Sequence, residues 1–443
     1  MRFDTLHRRL LTLPHLFDLR SIAEQLHRIL MRPLDPNEIR LRLYSLFLYH
    51  YGHPLVAKAL AVKVLNLLVG RYHYRARHTA LTSQPFGLIV DPANGCHLRC
   101  PGCVHSPTAG LDSNWPSGML SIDKYSDFLF RQGPFAIHTM FYNFGEPLFN
   151  PQTPAMIRLA KRYLIQTMLS TSMSIANFSP ERWIDCGLDY MILSIDGATQ
   201  AIYEKFRRGG NLSLVLDNLR RLVAAKRARG SQTPVLCWQF LAFEHNAHEI
   251  ISARRLAAEI GVDEFNLVSP YDVSWDDPAI RAAPIAAAKT IFHVHAETYL
   301  IDNWNCAVDD MAAAPIEAAF TRTWPELPPP LPFIANAAPC PWLYKNLTMD
   351  ASGAILSCSG AHPRFTQLGT EGFNSPLHQR ARTFFANPSM HRPSPDDPYC
   401  TKCEFSELPA DIDVPQVAHY LRAAGRSLFN PAAIELLSDW KTP

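Results

Sequence analysis

Three cysteines within eight residues, Cys96, Cys100 and Cys103 in the stretch CHLRCPGC, constrain this chain of 443 residues more than any other feature. Three thiolates on one loop can hold three corners of a four-iron cluster and leave the fourth iron open. Zinc usually takes four protein ligands in structural sites and favours histidine-rich sets in catalytic ones, so a lone cysteine triad suits it less well. The triad directly follows Gly87–Asp91, an apolar run that reads as a strand.

From Phe86 onward, short apolar runs alternate with helical stretches. The runs are Gly87–Asp91, His138–Phe144, Ile165–Thr171, Tyr190–Asp196, Val235–Phe243 and Glu264–Ser269. Between them lie helical patterns at Ser121–Arg131, Pro151–Arg162, Pro180–Cys186, Leu212–Arg229 and Ala247–Ile260. Strands and helices of these lengths imply parallel βα units with right-handed crossovers and a site at the strands' C-terminal ends. Six such units predict an α/β fold, a partial (β/α)6 TIM-like barrel, with an open doubly wound sheet as the competing arrangement.

Around this centre the chain divides into further segments. Residues 1–85 read as a helical extension interrupted by Pro33, Pro36 and Pro54, and within it Leu55–Val69 reads as an amphipathic helix. That run is too short and too often interrupted, by Lys58 and Lys63, to span a membrane. Residues 86–270 form the barrel and 271–337 an irregular, proline-rich insert. Trp324–Pro341 alone holds seven of the 36 prolines and should be extended and stiff. Residues 338–410 carry a hairpin around Asp350–Gly353 and further cysteines, and 411–443 form a helical tail near Pro415–Arg426.

The net charge of +2 conceals an asymmetry, since residues 1–85 hold 13 Lys/Arg against 5 Asp/Glu. A basic arm of this kind suits an acidic partner or a membrane surface. A solvated helical face is the plainer reading. No nucleic-acid partner is expected. Seven of the ten cysteines fall in two tight patterns, and Met1–Leu13 has no apolar signal core, which points to metal ligation in the reducing cytoplasm, with any membrane association peripheral.

A second motif, Asn143-Phe144-Gly145-Glu146-Pro147-Leu148, stands at the end of the second strand. Glycine permits close backbone approach and Pro147 lacks an N–H, so the strand should stop here and leave backbone carbonyls free. The third strand ends in hydroxyls, including Ser170 and Ser172, which as plain loop residues would satisfy backbone groups. The fourth runs Ser194-Ile195-Asp196-Gly197 and is followed by YEKFRRGG, containing Arg207 and Arg208. A final constellation is Cys340-x12-Gly353-x4-Cys358, then a gap, then Cys400-x2-Cys403. Four thiolates of this kind fill the corners of a cluster or a tetrahedral zinc site.

The triad and its position resemble the radical S-adenosylmethionine (SAM) superfamily, in which such cysteines hold a [4Fe–4S] cluster whose open iron is chelated by SAM. The second motif resembles that superfamily's GGEP signature, with Phe144 in place of the first glycine. The resemblance implies that Gly145, Glu146 and Pro147 receive the methionyl ammonium and that Ser170 and Ser172 bond the ribose or carboxylate. By the same resemblance Ser194 and Asp196 lie near the ribose and Arg207 pairs with the SAM carboxylate, as a guanidinium fork can. Cys340, Cys358, Cys400 and Cys403 resemble the C-terminal SPASM or twitch extension, which implies an auxiliary [4Fe–4S] cluster, with zinc as the alternative.

The activity implied by the resemblance is reductive cleavage of SAM to a 5'-deoxyadenosyl radical that abstracts hydrogen from a substrate C–H bond, with electrons from a flavodoxin or ferredoxin. A ribosomally made peptide is the first substrate class; a sugar, nucleoside, other metabolite or lipid is the alternative. Outside enzymes, a zinc-stabilised or iron-sulfur scaffold is the rival. Tyr142, Gln239 and Asn266 at strand ends are the expected substrate contacts, Cys306 in the insert is a further candidate, and no residue is assigned a catalytic role.

Overall fold

A computed structural model describes residues 35–106, 118–270, 277, 279–283, 290–293, 306–329, 340, 342–356, 358, 367–368 and 372–386. Cys400, Cys403 and the helix expected near Pro415–Arg426 lie outside the described residues. The first two helices, α1 (Pro36–Tyr51) and α2 (Pro54–Ala76), each begin on a proline, whose missing N–H is an orphan at a helix start anyway. Asp35 caps α1 by accepting from the Asn37 N–H at 2.9 Å, and Gly52 ends it in the left-handed conformation, φ 68°.

Then comes the predicted alternation: β1 (Gly87–Val90), α3 (Ile122–Gln132), β2 (His138–Phe141), α4 (Thr153–Lys161), β3 (Gln166–Thr171) and α5 (Pro180–Asp185). It continues through β4 (Tyr190–Ser194), α6 (Gln200–Phe206), α7 (Leu212–Ala228), β5 (Val235–Leu241), α8 (Ile250–Ile260) and β6 (Glu264–Val268). All six strands pair in parallel in chain order, the arrangement of a partial TIM-like barrel. Along β2 and β3 burial alternates residue by residue. Phe141 and Leu169 are wholly buried in the main hydrophobic core, while Met140, Met168 and Ser170 on the opposite face are half-buried.

Three findings depart from the sequence reading. First, α2 is buried nearly all round: Leu60, Ala61 and Val62 have no exposure, and the Lys63 ammonium donates to the Gly133 carbonyl at 2.8 Å and to that of Ala136. Burial pulls the Lys63 pKa well below its usual value. The two lysines that interrupt the run suggest an amphipathic pattern, but Lys63 serves the turn between α3 and β2, and Lys58 pairs with Glu317 at 2.7 Å. Arg71 is buried as well. The described part of the basic extension thus spends several of its cations inside the molecule. Among the described residues no helix is long and apolar enough to cross a membrane.

Second, the insert is not wholly irregular. It contributes β7 (Thr290–His293), antiparallel to β6, and α9 (Ala313–Thr321), an alanine-rich helix lying on α2. The extended stretch after α9 is strapped to the helical extension: Asn37 exchanges hydrogen bonds with the Trp324 backbone at 3.0 Å, and the Tyr72 hydroxyl donates to the Pro328 carbonyl at 2.7 Å.

Third, the C-terminal hairpin joins the barrel sheet. After a short helix α10 (Trp342–Lys345), β8 (Asn346–Met349) pairs in parallel with β1, and β9 (Ile355–Leu356) and β10 (Gln367–Leu368) continue the sheet. The full order is β10-β9-β8-β1-β2-β3-β4-β5-β6-β7. The last helix among the described residues, α11 (Pro376–Ala386), is anchored by buried Arg382, which donates to the carbonyls of Leu343, Phe373 and Thr79 at 2.7 to 3.0 Å.

Asp91, just past β1, sits where three of these strands meet. Its amide donates to the Met349 carbonyl at 2.9 Å, and its buried carboxylate lies near the backbone amides of Gly145 and Phe144 beyond β2. Burial pushes the Asp91 carboxyl up to about 7; the Gly145 and Phe144 amides oppose this and nearby Asp350 adds to it. The folded state therefore favours protonated Asp91. Its contribution to stability is full below the unfolded carboxyl pKa of about 4, declines as pH rises, and is lost above about 7. Asp91→Asn should flatten that decline and raise the melting temperature at pH 8; an unchanged slope between pH 5 and 7 contradicts the assignment. Because α2 shares one core with β1, a chain starting at Ser83 should expose that core and aggregate, at roughly 1.5–3 kcal/mol for each large side chain uncovered. A monodisperse truncation with native circular dichroism would overturn this.

Candidate functional site

The cysteine loop hangs from the C-terminal end of β1. Leu98 is buried beneath it among Phe206, Phe243 and Ile280, so one apolar side chain pins the loop to the end of the barrel. The Cys103 N–H donates to the Cys100 carbonyl at 3.1 Å, Gly102 between them takes φ 73°, and the Arg99 N–H donates to the Arg208 carbonyl at 2.9 Å. Cys100 is buried; Cys96 and Cys103 are partly exposed. Burial pushes the Cys96 thiol up to about 12, and the nearby Cys100 and Cys103 add to this. Burial likewise raises Cys100 to about 11 against the opposing Arg207 guanidinium, and raises Cys103. Three mutually interacting thiols, each protonated without a metal, suit iron, which displaces the protons on binding. Among the described residues no three His, Cys, Asp or Glu side chains surround a single ion position. The donor chemistry fits a cluster's three sulfur corners.

The turn after β2 is built against this loop. A Cβ on Gly145 would fall 1.6 Å from the Ala93 carbonyl oxygen, so only glycine fits. The Glu146 N–H donates to the Gly95 carbonyl at 2.9 Å, closing the contact between turn and loop. The Glu146 carboxylate is buried and accepts four hydrogen bonds. They come from the Thr171 hydroxyl at 2.7 Å, the Ser172 hydroxyl at 2.8 Å, the Ser172 amide at 2.9 Å and the Leu148 amide at 3.2 Å. Pro147 opens a single helical turn, as its fixed φ favours. The carbonyls expected to be free are in use: that of Phe144 meets the His105 ring at 2.8 Å, and those of Glu146 and Pro147 accept from Phe149 and Thr153.

Other expected site residues fall into two groups. Ser170 and Ser194 meet across β3 and β4, hydroxyl to hydroxyl at 3.2 Å, whereas Ser172 turns to Glu146. Asp196 and Arg207 meet each other. The Arg207 Nε–H donates to Asp196 Oδ2 at 2.6 Å, with Asp196 wholly buried, and the guanidinium charge acts on the nearby Cys100 thiol. Burial works against the Arg207 charge, but Asp196, Cys100 and Tyr203 outweigh it and raise its pKa. Arg208 faces outward to Asp277.

Among the expected substrate contacts, the Tyr142 hydroxyl lies 3.3 Å from the Met140 sulfur and 3.7 Å from that of Met168, while Gln239 and Asn266 pair in register on β5 and β6. Cys306 is half-buried before α9. Cys340 and Cys358 are half-buried on either side of the β8–β9 hairpin. Sequence reasoning passed over Asp91, His105 and Asn246, and set Thr171 among the strand-end hydroxyls without singling it out. Asn246 donates to the carbonyls of Asp196 and Leu241 at 3.0 and 2.9 Å.

Residues 90–236 match the radical SAM superfamily. Among curated proteins, the chain is similar to the PqqA peptide cyclase of Streptomyces rochei, 24% identical over 222 residues, covering 48% of this chain and 57% of that protein. It is also similar to the GTP 3',8-cyclase of Limosilactobacillus fermentum, 25% identical over 132 residues, covering 29% and 39%. The chain thus spans between about two fifths and three fifths of these relatives' lengths. Among solved structures, Streptococcus suis SuiB bound to S-adenosylmethionine superposes with TM-score 0.45 at 14% identity over 73% of each chain. With a three-thiol loop and a glycine-glutamate turn locked together at the end of its parallel sheet, the chain carries a radical SAM domain over residues 90–236.

Proposed function

We propose that the chain is a radical SAM enzyme that modifies a C–H bond of a peptide. The observation that carries this reading is the three-thiol loop, Cys96, Cys100 and Cys103, packed through Gly95 and Ala93 against the Gly145–Glu146 turn, with a charged arginine at Cys100. The radical SAM family implies a [4Fe–4S] cluster and SAM. When bound, that pair supplies one-electron cleavage of SAM to methionine and a hydrogen-abstracting 5'-deoxyadenosyl radical.

The chain's own part is to bind, orient and exclude water. The three cysteines ligate as thiolates after losing their protons. The Gly145–Pro147 turn, held rigid by the four donors on Glu146, offers the Gly145 carbonyl to the methionyl ammonium. Ser170 and Ser194 form a hydroxyl pair suited to the ribose, and Ser172 fixes the turn. Arg207 keeps its charge beside the cluster and presents its remaining N–H groups to the carboxylate. The half-buried barrel interior, with Tyr142, Gln239 and Asn266, is the substrate surface. A donor of the flavodoxin or ferredoxin class supplies the electron.

Peptide modification is supported by the similarity to a peptide cyclase, and a nucleoside-type substrate is the second reading, supported by the similarity to GTP 3',8-cyclase. Cys340, Cys358, Cys400 and Cys403 are proposed to hold an auxiliary [4Fe–4S] cluster. What supports it is their spacing and the placement of Cys340 and Cys358 beside a hairpin that abuts β1.

Anaerobic reconstitution should give about eight irons per chain for two four-iron clusters. Cys100→Ala should abolish 5'-deoxyadenosine formation yet retain one cluster by electron paramagnetic resonance. Wild-type 5'-deoxyadenosine formation by that variant would sink the site; four irons, or stoichiometric zinc, would sink the auxiliary cluster. Incubation with candidate precursor peptides and with nucleoside triphosphates, read by mass spectrometry for hydrogen loss, separates the two substrate readings.

A further inference from the structure

Two histidines fasten the end of the proline-rich strap to the helical extension. His73 lies in the last turn of α2, and Arg77, at φ 59°, turns the chain so that the His78 N–H donates to the His73 carbonyl at 3.0 Å. Both rings are buried, that of His73 wholly. Their Nδ1 atoms face each other at 2.8 Å. His73 Nε2 accepts the Thr82 N–H at 3.0 Å and meets the Thr82 hydroxyl at 2.8 Å, while His78 Nε2 lies 2.9 Å from the Pro329 carbonyl. Beside that contact the Tyr72 hydroxyl donates to the Pro328 carbonyl at 2.7 Å.

These partners leave one arrangement of protons. An amide N–H only donates, so His73 Nε2 carries no proton; a carbonyl only accepts, so His78 Nε2 carries one. The proton between the rings then sits on His73 Nδ1 and is accepted by His78 Nδ1. Both rings are neutral and every ring nitrogen is paired. A further proton on either ring sets N–H against N–H, between the rings or at Thr82. The surroundings do not favour one. Among the described residues, His78 and Arg382 of α11 both oppose a charge on His73, Arg322 of the strap donates to the Thr82 carbonyl at 3.3 Å, and Tyr72 meets both rings edge-on. Burial is the main cause, and with His78 and Arg382 it lowers the His73 pKa to about 3.

We propose that the His73–His78 pair is a proton-sensitive latch: neutral, it fastens the Pro328–Pro329 end of the strap to α2, and protonation releases it. The strap leads in sequence to Cys340, so the latch sets where the chain ahead of the second cysteine pattern is tied down. It does not depend on the chemistry at either group of cysteines. Because the folded pKa of His73 lies below its ordinary value of about 6.5, the closed latch is fully favoured above about 6.5 and weakens as pH falls toward about 3. Between pH 7.5 and 5.5 the released ring takes up a proton that the closed one refuses, which raises the released fraction about tenfold.

The test is cleavage of the full-length protein by a glutamate-specific protease at Glu326, an exposed strap residue between buried Trp324 and Leu327, which packs on the same apolar cluster. Rates are taken relative to a free peptide spanning residues 320–330 at each pH, which removes the protease's own pH dependence. Wild-type cleavage should rise about tenfold from pH 7.5 to 5.5 with circular dichroism unchanged, since cleavage follows the open population when reclosing is fast. His73→Gln, whose amide can accept from Thr82 and donate to His78 without titrating, should lose most of that rise. If His73→Gln does not fold, His78→Phe, which removes the donor to Pro329, should be cleaved fast at both pH values. A wild-type rate that does not change with pH, or an equal rise in His73→Gln, would overturn the latch. So would a rise that appears only as the circular dichroism of the whole chain is lost, which would make the pair a part of general acid unfolding.

Discussion

The site depends on how closely two backbones approach. Where β2 ends, Gly145 lies so near the Ala93 carbonyl that any side chain would overlap it. That approach brings the Glu146 amide onto Gly95, one residue before the first cysteine. Glu146 then faces the end of β3, where Thr171 and Ser172 fill its oxygens. One missing Cβ thus joins the ends of three parallel strands, and a buried carboxylate with four donors makes the joint stiff. Any substitution at Gly145 would have to push the cysteine loop away.

The sequence makes the strands, their order and the first cysteine loop readable, because period and spacing are local properties. It makes Gly145–Pro147 readable for the same reason. It does not reveal what Glu146 bonds to, because Thr171 and Ser172 arrive from 25 and 26 residues away. Nor does it reveal α2 as a core helix. Lys63 looks like a surface residue until the carbonyls of Gly133 and Ala136 are brought to it. A buried ammonium that finds backbone acceptors carries the same letter as a solvated one.

The C-terminal hairpin shows a similar division. Its turn is legible, since Asp350 Oδ1 accepts from the amides of Ser352 and Ala354 at 2.9 Å and Gly353 takes φ 87°. Its destination is not, because nothing in a four-residue strand names its neighbour. Pairing β8 with β1 places the end of the hairpin strand beside the strand that leads to Cys96. Lys124 on α3 completes the docking by donating to the Ser352 carbonyl at 2.7 Å. The segment between Cys340 and Cys358 is therefore part of the barrel's own sheet, and any centre held by those cysteines stands on the same scaffold as the first.

Charge near the cysteine loop follows a consistent order. Burial keeps the thiols neutral before metal arrives, so the apo loop carries no anion to hold it together. Arg207, by contrast, is charged and oriented already, because Asp196 pairs with it inside the wall. The cation is thus in place beforehand, and the anionic cluster proposed for this loop would form with little reorganisation of the wall. A buried ion pair is weak support for stability on its own account. Its position, with Asp196 held by the β5 backbone and the Arg207 guanidinium acting on the buried Cys100 thiol, makes better sense as preparation for a charge that the folded chain does not yet contain.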